Sequence, residues 1–226
     1  IENLSNLIAF DMGGTSTDVC VILENKPKLT ADSVLEGYPV MVPTLDVHSI
    51  GAGGGSIAHI DSVGSLIVGP KSAGAKPGPA CYGMGGKNPT VTDANCVLGR
   101  VAPSEFMPSG LNLNNNFALK AITNKVATPL KINHIQAAAG IIEICNLKMS
   151  TAVRSITIER GLDPSDFTLC AYGGAGPMHA CWIAKQLGIP RVLIPIAPGQ
   201  FSALGILLSQ VRHDLVRTVS PNLSYK

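Results

Sequence analysis

The 226-residue sequence has few charged residues, and neither sign of charge dominates. Charged residues make up 14% of the chain, against about 25% in an average globular protein, and the formal net charge is +2. This balance excludes an acidic or basic tail and a disordered chain, and it gives no electrostatic reason to expect nucleic-acid binding. A coiled coil is excluded too, because it needs about half of its residues from Ala, Glu, Lys, Leu and Arg.

Long hydrophobic runs and targeting signals are also missing. No stretch reaches the roughly 18 apolar residues of a membrane-spanning helix, and the first residues lack the basic-then-apolar layout of a signal peptide. The six cysteines are scattered without a C-x-x-C pair, so we expect reduced thiols and a cytoplasmic location. There is no Walker A motif, no G-x-S-x-G elbow, no G-x-G-x-x-G fingerprint and no zinc-finger spacing.

The order of the predicted elements indicates an α/β fold with a mixed sheet. A β-hairpin over 7–23 comes first, followed by a Gly- and Pro-rich section that looks irregular over 69–90. Late strands then alternate with helices, which favours an α/β architecture, while the early hairpin makes the sheet mixed. We predict helices at 94–100 with a Thr92–Asp93 cap, at 117–128, at 133–161 with Gly161 as C-cap and at 201–212, and strands at 39–43, 167–172 and 191–195.

The first candidate site is the run D-M-G-G-T-S-T-D over residues 11–18. Adjacent Gly13 and Gly14 allow backbone N–H groups to converge on one point, which forms a nest for an anion such as phosphate. Asp11, at the end of a strand, can hold Mg²⁺ directly or through water, and Asp18 could do the same or cap the turn. The same residues also fit a plain tight hairpin. Further donors are the hydroxyls of Thr15, Ser16 and Thr17.

The second candidate is the run Y-G-G-A-G-P-M-H-A over 172–180, where a strand turns into a helix. Its small residues let a flat ring or a phosphate approach closely, and a helix N-terminus attracts negative charge. An ordinary strand-to-helix turn, with Pro177 at the first helical position, fits equally well. His179 could face the site, although a single His at such a place is more often structural. The small residues are Gly173, Gly174, Ala175 and Gly176.

The third candidate is the run D-V-H-S-I-G-A-G-G-G-S over 46–56. In an extended strand Asp46 and His48 share one face, where they could bind a metal or act as an acid–base pair. Gly53, Gly54 and Gly55 would then bring the backbone close to whatever binds there. A flexible loop with a satisfied Asp–His pair fits the same sequence.

Five blocks of this sequence together resemble the hydantoinase A/5-oxoprolinase family, to which acetone and acetophenone carboxylase subunits are related. Each block alone is a weak signal, but five in order over most of the chain are specific. They read F-D-M-G-G-T-S-T-D-V (10–19), D-V-H-S-I-G-A-G-G-G-S (46–56), G-P-x-S-A-G-A-x-P-G-P-A-C-Y-G (69–83), P-T-V-T-D-A-N-x-V-L-G-R (89–100) and Y-G-G-A-G-P-M-H-A (172–180).

The resemblance implies an actin-like ATPase domain with a ribonuclease H-like α/β fold, one of two related domains that close over ATP. Residues 1–226 would be the second of these, with a Gly- and Pro-rich insertion at about 45–110, and the N-terminal half and C-terminal remainder of a larger protein would be absent. Residues 13–17 would then hold the ATP phosphates, and 173–176 would receive adenosine. Asp11 and Asp18 would position Mg²⁺. Asp46 and His48 would join Asp11 in catalysis, with residues 53–55 lining the same side.

The activity implied by the resemblance is an ATP-dependent hydrolase that phosphorylates the ring carbonyl of a cyclic amide or imide, such as 5-oxoproline or a hydantoin. Water can then open the ring. Two alternatives stay open: an ATP-dependent ketone carboxylase subunit and a non-catalytic nucleotide-binding module. We expect an oligomer with a second, hydantoinase B-type subunit or domain, and neither nucleic acid nor membrane as a partner. The isolated fragment should be inactive, since only one half of the clamp is present.

Overall fold

The computed structural model describes residues 4–30, 33–35, 38–40, 43–101 and 112–210. The helices are α1 (Val91–Val97), α2 (Asn115–Ile122), α3 (Thr128–Leu130), α4 (His134–Ile156), α5 (Gly176–Leu187) and α6 (Phe201–Leu208), and a π-helical turn, Thr123–Ala127, joins α2 to α3. The strands are β1 (Leu7–Met12), β2 (Thr17–Leu23), β3 (Lys26–Pro27), β4 (Leu29–Thr30), β5 (Ser33–Leu35), β6 (Tyr38–Val40), β7 (Thr44–Leu45), β8 (Val47–Ile50), β9 (Ser56–Ile60), β10 (Leu66–Ser72), β11 (Thr168–Tyr172) and β12 (Arg191–Leu193). Over these ranges no helix combines the length and the apolar character that a membrane span requires.

A mixed sheet forms the centre of the domain. Its strands lie in the order β12-β11-β1-β2-β3, and β8 also pairs with β2. β1 is parallel to β11, and β11 is parallel to β12, whereas β1 and β2 form the predicted antiparallel hairpin. The predicted α/β class, with a mixed sheet and flanking helices, is confirmed.

The two faces of the first hairpin differ in burial, because side chains alternate along each strand. Ile8, Phe10 and Val19 lie on one face, are fully buried and join the core beneath α4 and α5. Asp11 and Asp18 lie on the other face and are only half-buried. The hairpin is therefore fastened to the core by one face and presents both carboxylates on the other.

α4 is the longest helix and packs against α1, α5 and β2. Its buried residues recur three to four positions apart, as expected for a helix with one face in the core. The predicted end at Gly161 is wrong, because α4 ends at Ile156. Thr157 leaves the helical backbone region, with φ −115° and ψ −84°, and Gly161 instead closes a 3-10 turn at 158–160 in the left-handed region.

α1 begins three residues earlier than predicted, and its cap is a different residue. Thr90 is the N-cap: its hydroxyl accepts the Asp93 N–H, and the Asp93 carboxylate accepts the Thr90 N–H. This reciprocal arrangement is a capping box. Thr92 therefore lies inside the first turn of α1, where its side chain is not needed as the cap.

The section predicted to be irregular over 69–90 is partly regular. β10 extends into it and pairs with β9 as a second hairpin, and Ala80–Tyr82 form a 3-10 turn. The predicted final helix is present as α6 but ends at Leu208. The predicted strand at 39–43 and insertion at 45–110 extend over residues 41–42 and 102–110, which lie outside the described residues.

Candidate functional site

The turn that joins β1 to β2, here called the hairpin turn (Gly13–Ser16), is open at its tip. Gly14 and Thr15 are exposed, and the Gly13 N–H donates to the Ser16 carbonyl at 3.1 Å. Neither Gly13 nor Gly14 has a positive φ, and a Cβ built on either would meet nothing within 4 Å. Neither the backbone conformation nor the packing of the chain therefore requires glycine at these two positions. The absence of side chains at Gly13 and Gly14 leaves space that a ligand can occupy.

Behind the hairpin turn lie Gly53, Gly54 and Gly55, here called the glycine brace. The Gly54 N–H donates to the Gly13 carbonyl at 3.0 Å, and the Gly55 N–H donates to the Gly14 carbonyl at 2.7 Å. In a trans peptide the carbonyl of one residue and the N–H of the next point in opposite directions. The brace therefore turns the N–H groups of Gly14 and Thr15 outward, and within the described ranges neither donates to an acceptor.

The glycine brace lies too close to the hairpin turn to hold side chains. A Cβ on Gly53 would lie 2.7 Å from the Gly14 carbonyl carbon, and one on Gly55 would lie 2.9 Å from the Gly14 oxygen. The structure therefore places the brace against the back of the turn rather than on its open side. Thr17 is buried as well, and its hydroxyl donates to the Ala52 carbonyl at 2.5 Å.

Asp11 and Asp18 lie beside the hairpin turn, opposite each other across β1 and β2. The Ser202 hydroxyl, at the start of α6, donates to Asp11 at 2.6 Å. The Ser49 hydroxyl donates to Asp18, and the Ser16 hydroxyl lies 3.4 Å from the same carboxylate. Sequence reasoning missed Ser49 and Ser202, because no local pattern connects them to these carboxylates.

The pair can contribute to a magnesium site but cannot form a complete one. No described Lys or Arg forms an ion pair with Asp11 or Asp18. Like charges opposite each other on neighbouring strands are destabilising, and a cation would relieve that repulsion. Groups of three or more His, Cys, Asp and Glu side chains that could hold a metal are absent from the described residues. Two carboxylates suit Mg²⁺, which keeps its waters and takes its other ligands from substrate phosphates.

The second glycine-rich turn, here called the glycine corner (Gly173–Gly176), lies next to the hairpin turn. β1 and β11 are parallel neighbours with Asp11 opposite Tyr172, so both turns leave the same edge of the sheet. Gly173 has φ +81°, and a Cβ there would collide with the Asp11 side chain. Gly174 has no positive φ and nothing within 4 Å, so its open side resembles that of the hairpin turn. The Ala175 N–H fixes the corner by donating to the Met12 carbonyl at 2.9 Å.

Tyr172 connects the glycine corner to α6. Its ring meets Phe201 edge-to-face, with 5.0 Å between centroids and 62° between planes. Burial raises the pKa of Tyr172 to about 12, and the negative charge of Asp11 contributes to the rise. Tyr172 therefore stays protonated at neutral pH and carries no charge next to the carboxylates.

His179 lies in the first turn of α5 but is fully buried. Its Nδ1 is 2.6 Å from the Asn146 Oδ1, and its Nε2 is 3.5 Å from the Asn95 Nδ2, so the neutral ring with its proton on Nδ1 satisfies both neighbours. Burial, with the charge of Arg100, lowers the pKa of His179 to about 4. The ring therefore joins α1, α4 and α5 and does not face the hairpin turn.

Asp46 and His48 are not brought together with Asp11. His48 is paired with Val19, whose side chain lies on the buried face, whereas Ser49 is paired with Asp18 on the open face. Asp46 forms an ion pair with Arg160. β8 therefore presents His48 on the face opposite to Ser49 and Asp18, and Asp46, just before β8, is held by Arg160. The catalytic role of both residues stays a prediction.

Two cavities lie elsewhere in the domain. One of about 340 Å³ is lined by Lys87, Phe117, Lys120 and Lys125, among others, and one of about 290 Å³ is lined by residues that include Ile50, Pro70 and Lys148. Neither includes a residue of the hairpin turn or the glycine corner, which lie on an open surface of the described residues.

Known proteins are similar to this chain in sequence and in fold. The chain is 45% identical over 220 residues to the caprolactamase subunit alpha of Pseudomonas jessenii, an alignment that covers 97% of this chain and 32% of that subunit. It is 43% identical over 211 residues to the acetophenone carboxylase gamma subunit of Aromatoleum aromaticum, over 92% of this chain and 28% of the relative. It is 39% identical over 216 residues to the 5-oxoprolinase of Saccharomyces cerevisiae, over 91% of this chain and 17% of that enzyme.

Two solved structures contain the same domain. The crystal structure of the ATP-dependent caprolactamase from Pseudomonas jessenii aligns with a TM-score of 0.84 at 45% identity, over 93% of this chain and 30% of that one. Nucleotide-free acetone carboxylase, described as ATP-dependent, aligns with a TM-score of 0.83 at 31% identity, over 89% and 29%. This chain thus spans about a third or less of these proteins. The profile of the hydantoinase/oxoprolinase family matches residues 1–215, and the chain belongs to that family.

Proposed function

We propose that this chain is a phosphate-binding domain of an ATP-dependent hydrolase that opens a cyclic amide. The observation that carries the proposal is the hairpin turn. Gly14 and Thr15 direct two N–H groups into open space, beside two carboxylates, and among the described residues the N–H groups have no acceptor and the carboxylates no cationic partner. Such N–H groups bind phosphate, and the carboxylates supply oxygen ligands for the Mg²⁺ that accompanies ATP.

Each of the two turns would bind a different part of the nucleotide. The hairpin turn holds the phosphates through the N–H groups of Gly14 and Thr15, with the exposed Thr15 hydroxyl as a further donor. The glycine corner takes the adenosine, because Gly174 leaves open space at the edge of the sheet where the hairpin turn also lies. The predicted roles of the glycine brace and of Thr17 in direct binding are not part of the proposal, since these residues lie behind the turn.

The chemistry explains why a cyclic amide hydrolase would need ATP. Resonance makes the ring carbonyl a poor electrophile. Transfer of the γ-phosphoryl group forms a P–O bond to the amide oxygen and breaks the bond to ADP. Water then adds to the carbonyl carbon and the ring C–N bond breaks, with the nitrogen taking up a proton, which leaves an acyl phosphate. A second water hydrolyses the acyl phosphate, so that two waters are consumed and the products are the open amino acid, ADP and phosphate. Phosphoryl transfer depends on positioning and charge neutralisation, which backbone N–H groups and bound Mg²⁺ supply.

The residues of this chain contribute binding and orientation. The N–H groups of Gly14 and Thr15 would bind the negatively charged phosphate oxygens, and Asp11 and Asp18 would supply oxygen ligands for Mg²⁺, which neutralises phosphate charge. The Ser202 hydroxyl fixes the Asp11 carboxylate at 2.6 Å. Because the alpha subunit of caprolactamase and the gamma subunit of acetophenone carboxylase are parts of larger assemblies by name, we also propose that the complete protein acts with a partner subunit or domain. The cytoplasmic location stays a prediction.

A ketone carboxylase is the second candidate, because identity to the acetophenone carboxylase subunit, 43%, is nearly the same as to the caprolactamase subunit, 45%. Both reactions would use the same phosphate-binding turn, and the substrate would decide which follows.

One experiment separates the candidates. ATP hydrolysis by the complete protein, with its partner, is measured with Mg²⁺ and in turn with 5-oxoproline, caprolactam, hydantoin, and acetone or acetophenone plus bicarbonate. We expect a cyclic amide to stimulate ATP hydrolysis and to yield one ring-opened product per ATP consumed. Stimulation by a ketone only in the presence of bicarbonate would favour the carboxylase. ATP binding without turnover on any of these compounds would favour a non-catalytic module.

A further inference from the structure

The orientation of the hairpin turn depends on a residue that lies far from its open side. The Gly55 N–H of the glycine brace holds the Gly14 carbonyl, and the Gly54–Gly55 peptide is itself held by a residue of α1. The carbonyl of Gly54 accepts both the N–H and the hydroxyl of Thr92, each at 2.8 Å. Because the Gly54 carbonyl and the Gly55 N–H belong to one peptide, a series of hydrogen bonds connects Thr92 to the Gly14 carbonyl.

The Thr92 hydroxyl is not needed to cap α1. Thr90 is the N-cap, and Asp93 completes the capping box. The first N–H groups of a helix lack partners within the helix, and that of Thr92 finds its acceptor in Gly54. The Thr92 side chain duplicates this bond, so its hydroxyl serves the glycine brace rather than the helix.

The first turn of α1 is a rigid support, because a buried carboxylate anchors it. Asp93 is fully buried and accepts the N–H groups of Ala80 and Cys81, at 3.1 and 2.7 Å, as well as the N–H and hydroxyl of Thr90. These four bonds satisfy its charge without a cation and fasten α1 to the 3-10 turn at 80–82. Thr92 is thus held by a fixed helix end, next to the phenol of Tyr82.

We propose that Thr92 is a positioning residue for the phosphate-binding turn. The carbonyl that Thr92 holds belongs to the Gly54–Gly55 peptide, whose N–H donates to the Gly14 carbonyl. By fixing this peptide, Thr92 fixes the plane of the Gly14–Thr15 peptide, and thereby the direction of the Thr15 N–H. Thr92 does not touch the nucleotide and acts through Gly54 alone. The inference rests on the proposed function, because it assigns the oriented N–H to the ATP phosphates.

The test compares nucleotides that differ in phosphate number. Thr92→Val removes the hydroxyl and keeps the side-chain shape. Thr92→Ser keeps the hydroxyl and removes the methyl group, and Tyr82→Phe removes only the neighbouring phenolic hydroxyl. Affinities for AMP, ADP and ATP, together with KM for ATP and kcat, are measured on the complete protein with Mg²⁺. We expect Thr92→Val to lower the affinity for ADP and ATP by about tenfold, which is the effect of one oriented hydrogen bond. The affinity for AMP should fall much less. Thr92→Ser and Tyr82→Phe should stay close to wild type.

Unchanged ATP affinity in Thr92→Val would overturn the inference, and so would an equal loss for AMP and ATP, because a general structural defect would weaken every nucleotide alike. If Thr92→Val does not fold, Gly54→Ala provides the same test, since its Cβ would lie 2.8 Å from the Thr92 hydroxyl and displace it. Wild-type protein that binds no nucleotide would instead overturn the proposed function, and the inference with it. Loss of ATP affinity in Gly14→Ala but not in the Thr92 and Gly54 variants would overturn the inference alone.

Discussion

Asp11 and Asp18 face each other across the first hairpin, on the side of the sheet that the core does not cover. Each carboxylate accepts a serine hydroxyl from a distant part of the chain, Ser202 for Asp11 and Ser49 for Asp18. No cation from the described residues neutralises them. The chain therefore keeps two like charges close together beside a glycine turn, which is a cost to stability that a bound cation would remove.

Asp11→Asn should abolish activity without weakening the fold. We expect stimulated ATP turnover to fall by about 100-fold or more, because a carboxylate that holds Mg²⁺ is lost. The thermal midpoint should stay the same or rise, because the repulsion with Asp18 is relieved. Glu143→Gln is the matched control: this carboxylate is exposed on α4 and should tolerate the change. Full activity in Asp11→Asn would remove the residue from the mechanism.

Gly14→Ala should separate ligand binding from stability. A Cβ at this position meets nothing within 4 Å of the chain, so the variant should fold as well as wild type. The variant should bind ATP about tenfold or more weakly, since the methyl group enters the space proposed for phosphate. The control is Gly140→Ala on α4, where the Cβ would make an ordinary 3.5 Å contact with Leu66. That variant should gain about 1 kcal/mol of helix stability and leave ATP affinity unchanged. Normal ATP binding by Gly14→Ala would contradict the placement of the phosphates.

Asp46→Asn should remain active, although the sequence marks Asp46 as a catalytic candidate. Its carboxylate is paired with Arg160, and the two side chains are 15% and 33% exposed, Asp46 and Arg160 respectively. Because Arg160 is partly in water, a double-mutant cycle of Asp46→Asn and Arg160→Gln should give a coupling energy of about 1 kcal/mol. A fall in turnover comparable with that of Asp11→Asn would return Asp46 to the active site.

His179 should make the fold sensitive to acid. Its pKa is lowered to about 4, whereas an unfolded chain has a His pKa of about 6.5. As pH falls between these values, the unfolded state binds a proton that the folded state does not, so the free energy of unfolding decreases. Above about pH 6.5 both states are neutral, and His179 contributes nothing to the pH dependence.

The expected loss attributable to His179 is about 2–3 kcal/mol between pH 7 and pH 4.5. Urea unfolding gives the free energy of unfolding of wild type and of His179→Gln at both pH values. The contribution of His179 is the fall in this free energy from pH 7 to pH 4.5 in wild type minus the fall in His179→Gln. NMR titration of the histidine ring protons provides a direct check. A His179 ring that titrates near its ordinary pKa in the folded protein would contradict this description.

Local sequence patterns predict the two glycine turns but not the residues that hydrogen-bond to them from distant parts of the chain. The two adjacent glycines and the flanking carboxylates are one continuous stretch of chain, and alternating hydrophobic residues determine which side chains of β1 face the core. Those patterns predict the open hairpin turn correctly. The end of α4 is different, because Thr157 leaves the helical backbone region although neither Gly nor Pro lies between Gly140 and Gly161.

The placements that local patterns do not predict are those of residues whose positions depend on pairing across the fold. The pairing of β8 with β2 places His48 opposite Val19 and Ser49 opposite Asp18, and a sequence does not reveal this register. The sequence of the glycine brace is typical of a binding loop, because glycines permit close approach of a ligand. In the structure, the segment that lies close to these glycines is the hairpin turn. A search for Thr or Ser near the N-terminus of a helix that already has a cap would have pointed to Thr92.

The most direct measurement is a structure of the complete protein with Mg²⁺ and a non-hydrolysable ATP analogue. The account predicts phosphate oxygens about 2.7–3.2 Å from the backbone nitrogens of Gly14 and Thr15, with Mg²⁺ bound to Asp11 or Asp18 directly or through water. A nucleotide bound elsewhere, with both N–H groups facing solvent or another part of the protein, would contradict it.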